Sequence, residues 1–224
     1  METTRPRPWF ITFNSAWYQQ SCFSAFNERL HHLKIFEDLP YHHVRMPEKQ
    51  LHTTVISLIR ISDWPGCLCI ERTLIDKLKV WLPYLDLNSL RSAFKGFNLD
   101  AYQVRYFDTV TAIQFRCDEK EVIRFRQYIR DNLRSPIEGF ISELEGLGIK
   151  GSIEIDLPRF ADGHLHSAIA RSPYPCDLIK ESRISRELDG LSLNINRINL
   201  MISDESMGNP SAFNEDLSVL LSAM

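Results

Sequence analysis

The hydrophobic pattern of the chain predicts an α+β fold built on antiparallel ladders. Strand-like and helix-like segments alternate along the whole length, and several strands come as adjacent pairs, not in a strict strand–helix–strand rhythm. No long linker, low-complexity tract or charge block interrupts that order. One domain over residues 1–224 is the simplest organisation, because a chain of this length can bury a sizeable core.

Each element follows from its local pattern. Residues 8–14, PWFITFN, are rich in aromatic and β-branched side chains and predict a strand. Ser15 is then a plausible cap for a helix carrying Trp17, Cys22, Phe23 and Phe26 at helical spacing. Residues 51–61, LHTTVISLIRI, predict a strand, and residues 67–82 a helix with Ile70, Leu74, Leu78 and Trp81 on one face. Residues 97–107 and 109–117 predict a strand pair turning near Asp108. A helix over 119–133 is expected to end at Ser135-Pro136, because the residue before proline avoids the helical region. A second helix over 137–148 is stopped by glycine. Residues 164–171 predict a strand, 176–188 a helix, 191–203 one strand or two, and 211–224 a closing helix with Ser211 as a possible cap.

Composition excludes several function classes. Hydrophobic content is 44%, charged content 25% and net charge −3. That is an ordinary globular balance, and it argues against long nucleic acid as a partner, since a phosphate backbone calls for a basic surface. A nucleotide or short RNA needs only a local site. The cysteines Cys22, Cys67, Cys69, Cys117 and Cys176 are odd in number and scattered, so a disulfide framework is not expected. Reduced thiols and the absence of a signal-peptide core in METTRPRPWF point to the cytoplasm. No run approaches the ~18 apolar residues of a membrane span. A monomer is expected.

Two histidine strands carry the chemistry. In QLHTTVISL, His52 and Thr54 lie two residues apart and share one strand face, while Leu51, Thr53 and Val55 take the other. A buried histidine satisfied by its neighbour's hydroxyl would explain that pair alone. A second site changes the balance. In DGHLHSAIAR, parity puts His164, His166 and Ala168 on one face, and Leu165, Ser167 and Ile169 on the other. Two imidazoles facing one cleft can take a proton from water and give one to a leaving oxygen, because an unperturbed ring titrates near ~6.5.

LHTTVISL and LHSAIAR resemble the paired His-x-Thr/Ser motifs of the two-histidine (2H) phosphoesterases, also called LigT-like or cyclic phosphodiesterase-like proteins. The first motif fits Leu-His-x-Thr directly, and the second fits at His166, Ile169, Ala170 and Arg171. The order of elements agrees over nearly the whole chain. The resemblance implies two pseudo-symmetric lobes, each an antiparallel sheet with flanking helices, around a cleft. It also implies metal-independent cleavage of a 2′,3′-cyclic phosphate, or of 2′–5′-linked or cyclic nucleotides or RNA ends, with no cofactor. His52 and His166 would be catalytic, with Thr54, His164, Ser167 and Arg171 binding substrate. The chain departs from the pattern at Ala168, where the family has threonine or serine. Losing one such donor costs about 10²- to 10³-fold where a site relies on it. Ser167 turning in at a bulge, His164 donating in its place, or His164 itself serving as the catalytic partner would each repair the gap.

Other readings compete. Ala168 suits a nucleotide- or RNA-end-binding module without turnover. An interaction scaffold would make both histidines purely structural. Asp-x-His-x-His resembles the opening of a barrel amidohydrolase metal site, but too little chain follows His166 for a barrel. A zinc site could draw on His31-His32, His42-His43 and His164-x-His166, although paired surface histidines are ordinary and His42 or His43 could instead line the cleft mouth. Asn14 and Ser57 are candidate cleft residues. Tyr102, Tyr106 and Phe107 could stack on a base or simply pack. Trp9, Phe10 and Phe13 are expected in the core. By parity Arg171 falls off the histidine face, where a structural ion pair competes with a phosphate contact.

Overall fold

Alternating apolar residues lay down two antiparallel sheets. The structure is a computed structural model that describes residues 7–37, 39, 42–106, 109–172, 182–184, 186–204 and 221–222. In chain order the elements are β1 (Trp9–Ala16), α1 (Phe23–His31), β2 (Val44–Arg45), β3 (His52–Asp63), α2 (Ile70–Trp81), α3 (Leu87–Ala93), β4 (Phe97–Tyr106), β5 (Val110–Cys117), α4 (Glu119–Glu145), β6 (Lys150–Ile153), β7 (Leu165–Arg171), β8 (Ser182–Ile184), β9 (Ser192–Ile195), β10 (Arg197–Asp204) and β11 (Leu221–Ser222). The first sheet has the order β11-β10-β1-β3-β6 and the second β2-β7-β5-β4-β8, with β9 also on β4. Each sheet therefore carries one histidine strand, β3 or β7. The predicted α+β class with antiparallel sheets flanked by helices is the fold observed. Among the described residues, no helix is long and apolar enough to cross a membrane.

Long-range apolar contacts join the layers. Phe13 on β1 meets Phe125 on α4 edge-on at 6.4 Å. Trp17 meets Phe26 at 5.0 Å and Phe115 of the second sheet at 5.7 Å. Burying such aromatics contributes on the order of 2–3 kcal/mol each.

Several predicted elements differ. Ser15 does not cap a helix. β1 continues through Ser15 and Ala16, which pair with Thr53 and His52, and Trp17 N–H then donates to Leu51 O at 3.0 Å. Ladder bonds to β3 outcompete the local cap, and the helix starts only at Phe23. Pro136 does not end a helix, because α4 runs through it to Glu145. An interior proline costs about 3 kcal/mol, but the buried stripe of Ile129, Leu133, Ile137, Phe140 and Leu144 continues in phase across it. Trp81 Nε1–H also donates to the Pro136 carbonyl at 3.0 Å. Glycine does stop this helix, with Gly148 at φ 76°.

The predicted helix over 176–188 is a strand where it is described, because Ser182–Ile184 pair with Gln103–Arg105 on β4, followed by a 3₁₀ turn at Arg186–Leu188. The segment 191–203 forms two strands, β9 on the second sheet and β10 on the first. Of the predicted closing helix, Leu221–Ser222 instead pair with Arg197–Ile198, while 211–220 and 223–224 lie outside the described residues, as do Cys176, Phe107 and Asp108. α3 was not expected, and Asp86 caps it by accepting from Ser89 N–H at 3.0 Å.

Candidate active site

β3 and β7 bring the two motifs together. The Ser167 hydroxyl donates to the backbone carbonyl of His52, which ties residue 52 to the immediate neighbour of His166. Ser167 is thus buried and spent on a structural bond. The sequence expectation that it turns into the cleft does not hold.

His52 opens β3 and is 9% exposed. Its Nδ1 lies 2.7 Å from the Gln50 carbonyl oxygen. A carbonyl can only accept, so Nδ1 carries the ring proton and Nε2 presents a lone pair. Burial is the main force lowering the His52 pKa. The Gln50 bond opposes it, while the charges of Arg171 and His166 lower it further. His166 is exposed on β7. Its pKa is also lowered, first by desolvation and then by the charges of Arg105, Arg159 and Arg126. Both rings are therefore poised towards the neutral form in an arginine-rich field that favours an anion.

A cavity of about 290 Å³ lies beside His166, while His52 and Arg171 are not among the residues that line it. Phe10, Thr12, Thr54 and Ser57 form the wall on the first sheet, and His164, His166 and Arg159 line it from the second motif's side. Phe10, expected in the core, therefore faces the cavity. Thr54 and Ser57 share this face although they are three apart. β3 has a bulge at Val55, so that Thr54 pairs with Asn14 and Ser57 with Thr12. Asn14 is fully buried and its amide donates to Thr12 Oγ1 at 2.5 Å. The Ser57 hydroxyl is buried without a hydrogen-bond partner among the described residues, which leaves it available to a ligand oxygen.

A second bulge, at Ile169 on β7, repositions Arg171. Ala168 pairs with Ala112, Ala170 with Thr111 and Arg171 with Val110. Val110, Ala112 and Gln114 alternate on one face, so Arg171 joins the face of His166. The parity count that put it on the other side fails at the bulge. Burial lowers the Arg171 pKa, with Asp204 opposing, and its Nε has no hydrogen-bond partner among the described residues.

Arg126 was not anticipated. It sits on α4 inside the apolar stripe of Val122, Phe125, Ile129 and Leu133, and is 2% exposed. Its Nε–H donates to Val55 O, the carbonyl of the β3 bulge, at 2.8 Å. Its other nitrogens donate to Asp162 O and, at 3.4 Å, to His164 O. One guanidinium thus spans the bulge that aims Thr54 and the turn that leads to His166. A charged residue in phase with a helical apolar stripe was the sequence signal that could have revealed it. The same turn is held by Cys117, whose Sγ–H donates to Gly163 O at 2.6 Å, and by the Asp162 carboxylate accepting from His164 N–H at 3.1 Å. Gly163 packs so closely that a Cβ would lie 2.8 Å from Glu119 Cα.

No family model and no curated protein matches the chain. Among solved structures it is similar to the crystal structure of a phosphoesterase, with TM-score 0.46 and 15% identity over 91% of this chain and 92% of that one. It is also similar to the protein TT0787 of Thermus thermophilus, with TM-score 0.43 and 18% identity over 85% of this chain and 87% of that one. At such low scores the likeness is one of outline, and the chemistry has to be read from the site itself.

The remaining candidates lie apart from this cavity. His31 pairs with Glu48 at 3.2 Å on the surface, and His32 ends α1. His43 is buried, its Nδ1 2.9 Å from Thr111 Oγ1. No three histidine, cysteine or acidic side chains among the described residues converge on a metal-sized point. Tyr102 lies under the Arg116 guanidinium at 5.1 Å, and Tyr106 packs on the core.

Proposed function

We propose that the chain is a metal-independent phosphodiesterase of the two-histidine type, acting on a 2′,3′-cyclic phosphate or a 2′–5′-linked nucleotide or RNA end. The observation that carries this is the fixed tautomer of His52, on a strand that Ser167 ties to the strand of His166. A ring held with Nδ1 protonated offers Nε2 as a base, and its lowered pKa keeps it neutral at pH 7. His52 Nε2 takes a proton from water as the water oxygen attacks phosphorus. The bond from phosphorus to one ribose oxygen breaks, and His166 protonates that oxygen. The phosphate's negative charge offsets the arginine field, so substrate binding itself favours the protonated His166 that this step requires. Thr54, Ser57 and Arg171 would hold the non-bridging oxygens.

The experiment is hydrolysis of a nucleoside 2′,3′-cyclic phosphate by purified protein with chelator present. Turnover should persist in chelator, and His52→Ala or His166→Ala should each cost several orders of magnitude. Loss of turnover with chelator and recovery with zinc would overturn the proposal. A second reading rests on Ala168: a nucleotide-binding module with little turnover. Calorimetric binding of AMP together with no hydrolysis would favour it.

A further inference from the structure

Ala168 leaves the second motif without a counterpart to Thr54. The register of the second sheet shows what else shares its row. Ala168 on β7 pairs with Ala112 on β5, and Ala112 pairs with Arg105 on β4. In the next row His166 pairs with Gln114, and Gln114 with Gln103. Directly paired residues lie on the same face of a sheet, so Arg105 stands on the face of His166. Strands are spaced about 4.8 Å apart, which puts Arg105 about 10 Å from β7. Only the Ala112 methyl lies between, and the β7 position it faces, Ala168, is itself a methyl. The three-methylene arginine stem can cross the Ala112 methyl with its guanidinium towards the histidine row. Ala112 is fully buried although Arg105 and His166, on the strands to either side, are exposed, as a methyl overlain by a long side chain would be. Arg105 is also the leading charge acting on His166.

We propose that Arg105 supplies the phosphate donor that Ala168 lacks, its guanidinium gripping a non-bridging oxygen beside His166. This rests on the site proposed above. A guanidinium offers a charged, two-pronged grip where a hydroxyl offers one neutral bond, so the exchange replaces the motif's donor instead of losing it.

The test compares full-length wild type with Arg105→Ala, Arg105→Lys and the double variant Arg105→Ala/Ala168→Thr. Inorganic phosphate is the binding probe and adenosine 2′,3′-cyclic phosphate the substrate. Arg105→Ala should weaken phosphate binding about tenfold or more and lower kcat/KM about 10²-fold. Lysine keeps the charge without the fork and should recover only part. Threonine at 168 should restore about tenfold in the alanine background. In an NMR pH titration, His166, which is faced by Arg105, Arg159 and Arg126 and stands near His52, should titrate at higher pH once Arg105 is removed. If Arg105→Ala fails to fold, Arg105→Gln carries the same comparison. Unchanged phosphate binding in the variant, or no recovery by threonine, overturns the proposal. The two assignments fail separately. No hydrolysis by wild type, with phosphate binding still dependent on Arg105, removes the hydrolase and leaves the grip. Equal hydrolysis by wild type and Arg105→Ala removes the grip and leaves the hydrolase.

Discussion

Replacing Arg126 by methionine should damage activity far more than stability. Burial lowers the Arg126 pKa well below the usual guanidinium value, to about 10, so keeping the charge at neutral pH costs on the order of 3 kcal/mol. Against that stand its three carbonyl partners. Val55 lies in the core, and stranding its carbonyl costs about 1–3 kcal/mol. The Asp162 and His164 carbonyls adjoin the cavity, where water can replace the guanidinium at about 1 kcal/mol each. Loss and relief nearly cancel, which leaves about 0–2 kcal/mol of net destabilisation, or a fall in Tm of less than about 8 °C. Position is another matter. The guanidinium bonds both the Val55 carbonyl and the turn before His166, and a misplacement of about 1 Å on its loss can cost 10²-fold. The assay is calorimetric Tm alongside kcat on a cyclic phosphate, corrected for folded fraction. A Tm drop above about 15 °C with unchanged kcat would show that Arg126 is a stability element, and would refute the positioning role.

Three further outcomes are expected. His52 and His166 have folded pKa values below the ordinary 6.5. Between those values and 6.5 the unfolded chain binds more protons, so their stabilising contribution is full above pH 6.5 and is lost as pH falls through the folded pKa values. Melting curves from pH 7 to pH 5 should show a smaller acid loss in His52→Gln and His166→Gln than in wild type. Gly163→Ala should push the turn off α4, since its Cβ would approach Glu119 Cγ to 2.7 Å. A stability loss of about 1–3 kcal/mol in urea titration, together with reduced activity, checks this. Ser167→Ala removes the bond to the His52 carbonyl and leaves that oxygen buried, at about 1–3 kcal/mol by the same titration.

The sequence showed whatever followed a regular period. The strand of His52 and Thr54 and the face shared by His164 and His166 were legible from alternation. The period failed at the bulges. An unpaired Val55 carried Ser57 onto the cavity face, and an unpaired Ile169 carried Arg171 onto the histidine face. A bulge is set by pairing with a distant strand, so no local window records it. Pro136 misled for the related reason that a local propensity yielded to a buried stripe continuing beyond it. Ser15 favoured a cap, but β3 offered it a ladder. Arg126 was visible as a misfit in an apolar stripe, yet only its distant carbonyl partners explain why it is there.

The passage from β9 to β10 bears on how a substrate gets in. Only Asn196 separates a strand of the second sheet from a strand of the first, and both Asn196 N–H and Arg197 N–H donate to Gln20 Oε1, at 2.9 and 3.2 Å. A connection so short and so pinned is no hinge. The two sheets are moored to each other at this crossing, and on the proposed reading a phosphate ester would meet groups already in place, without waiting for a jaw to shut.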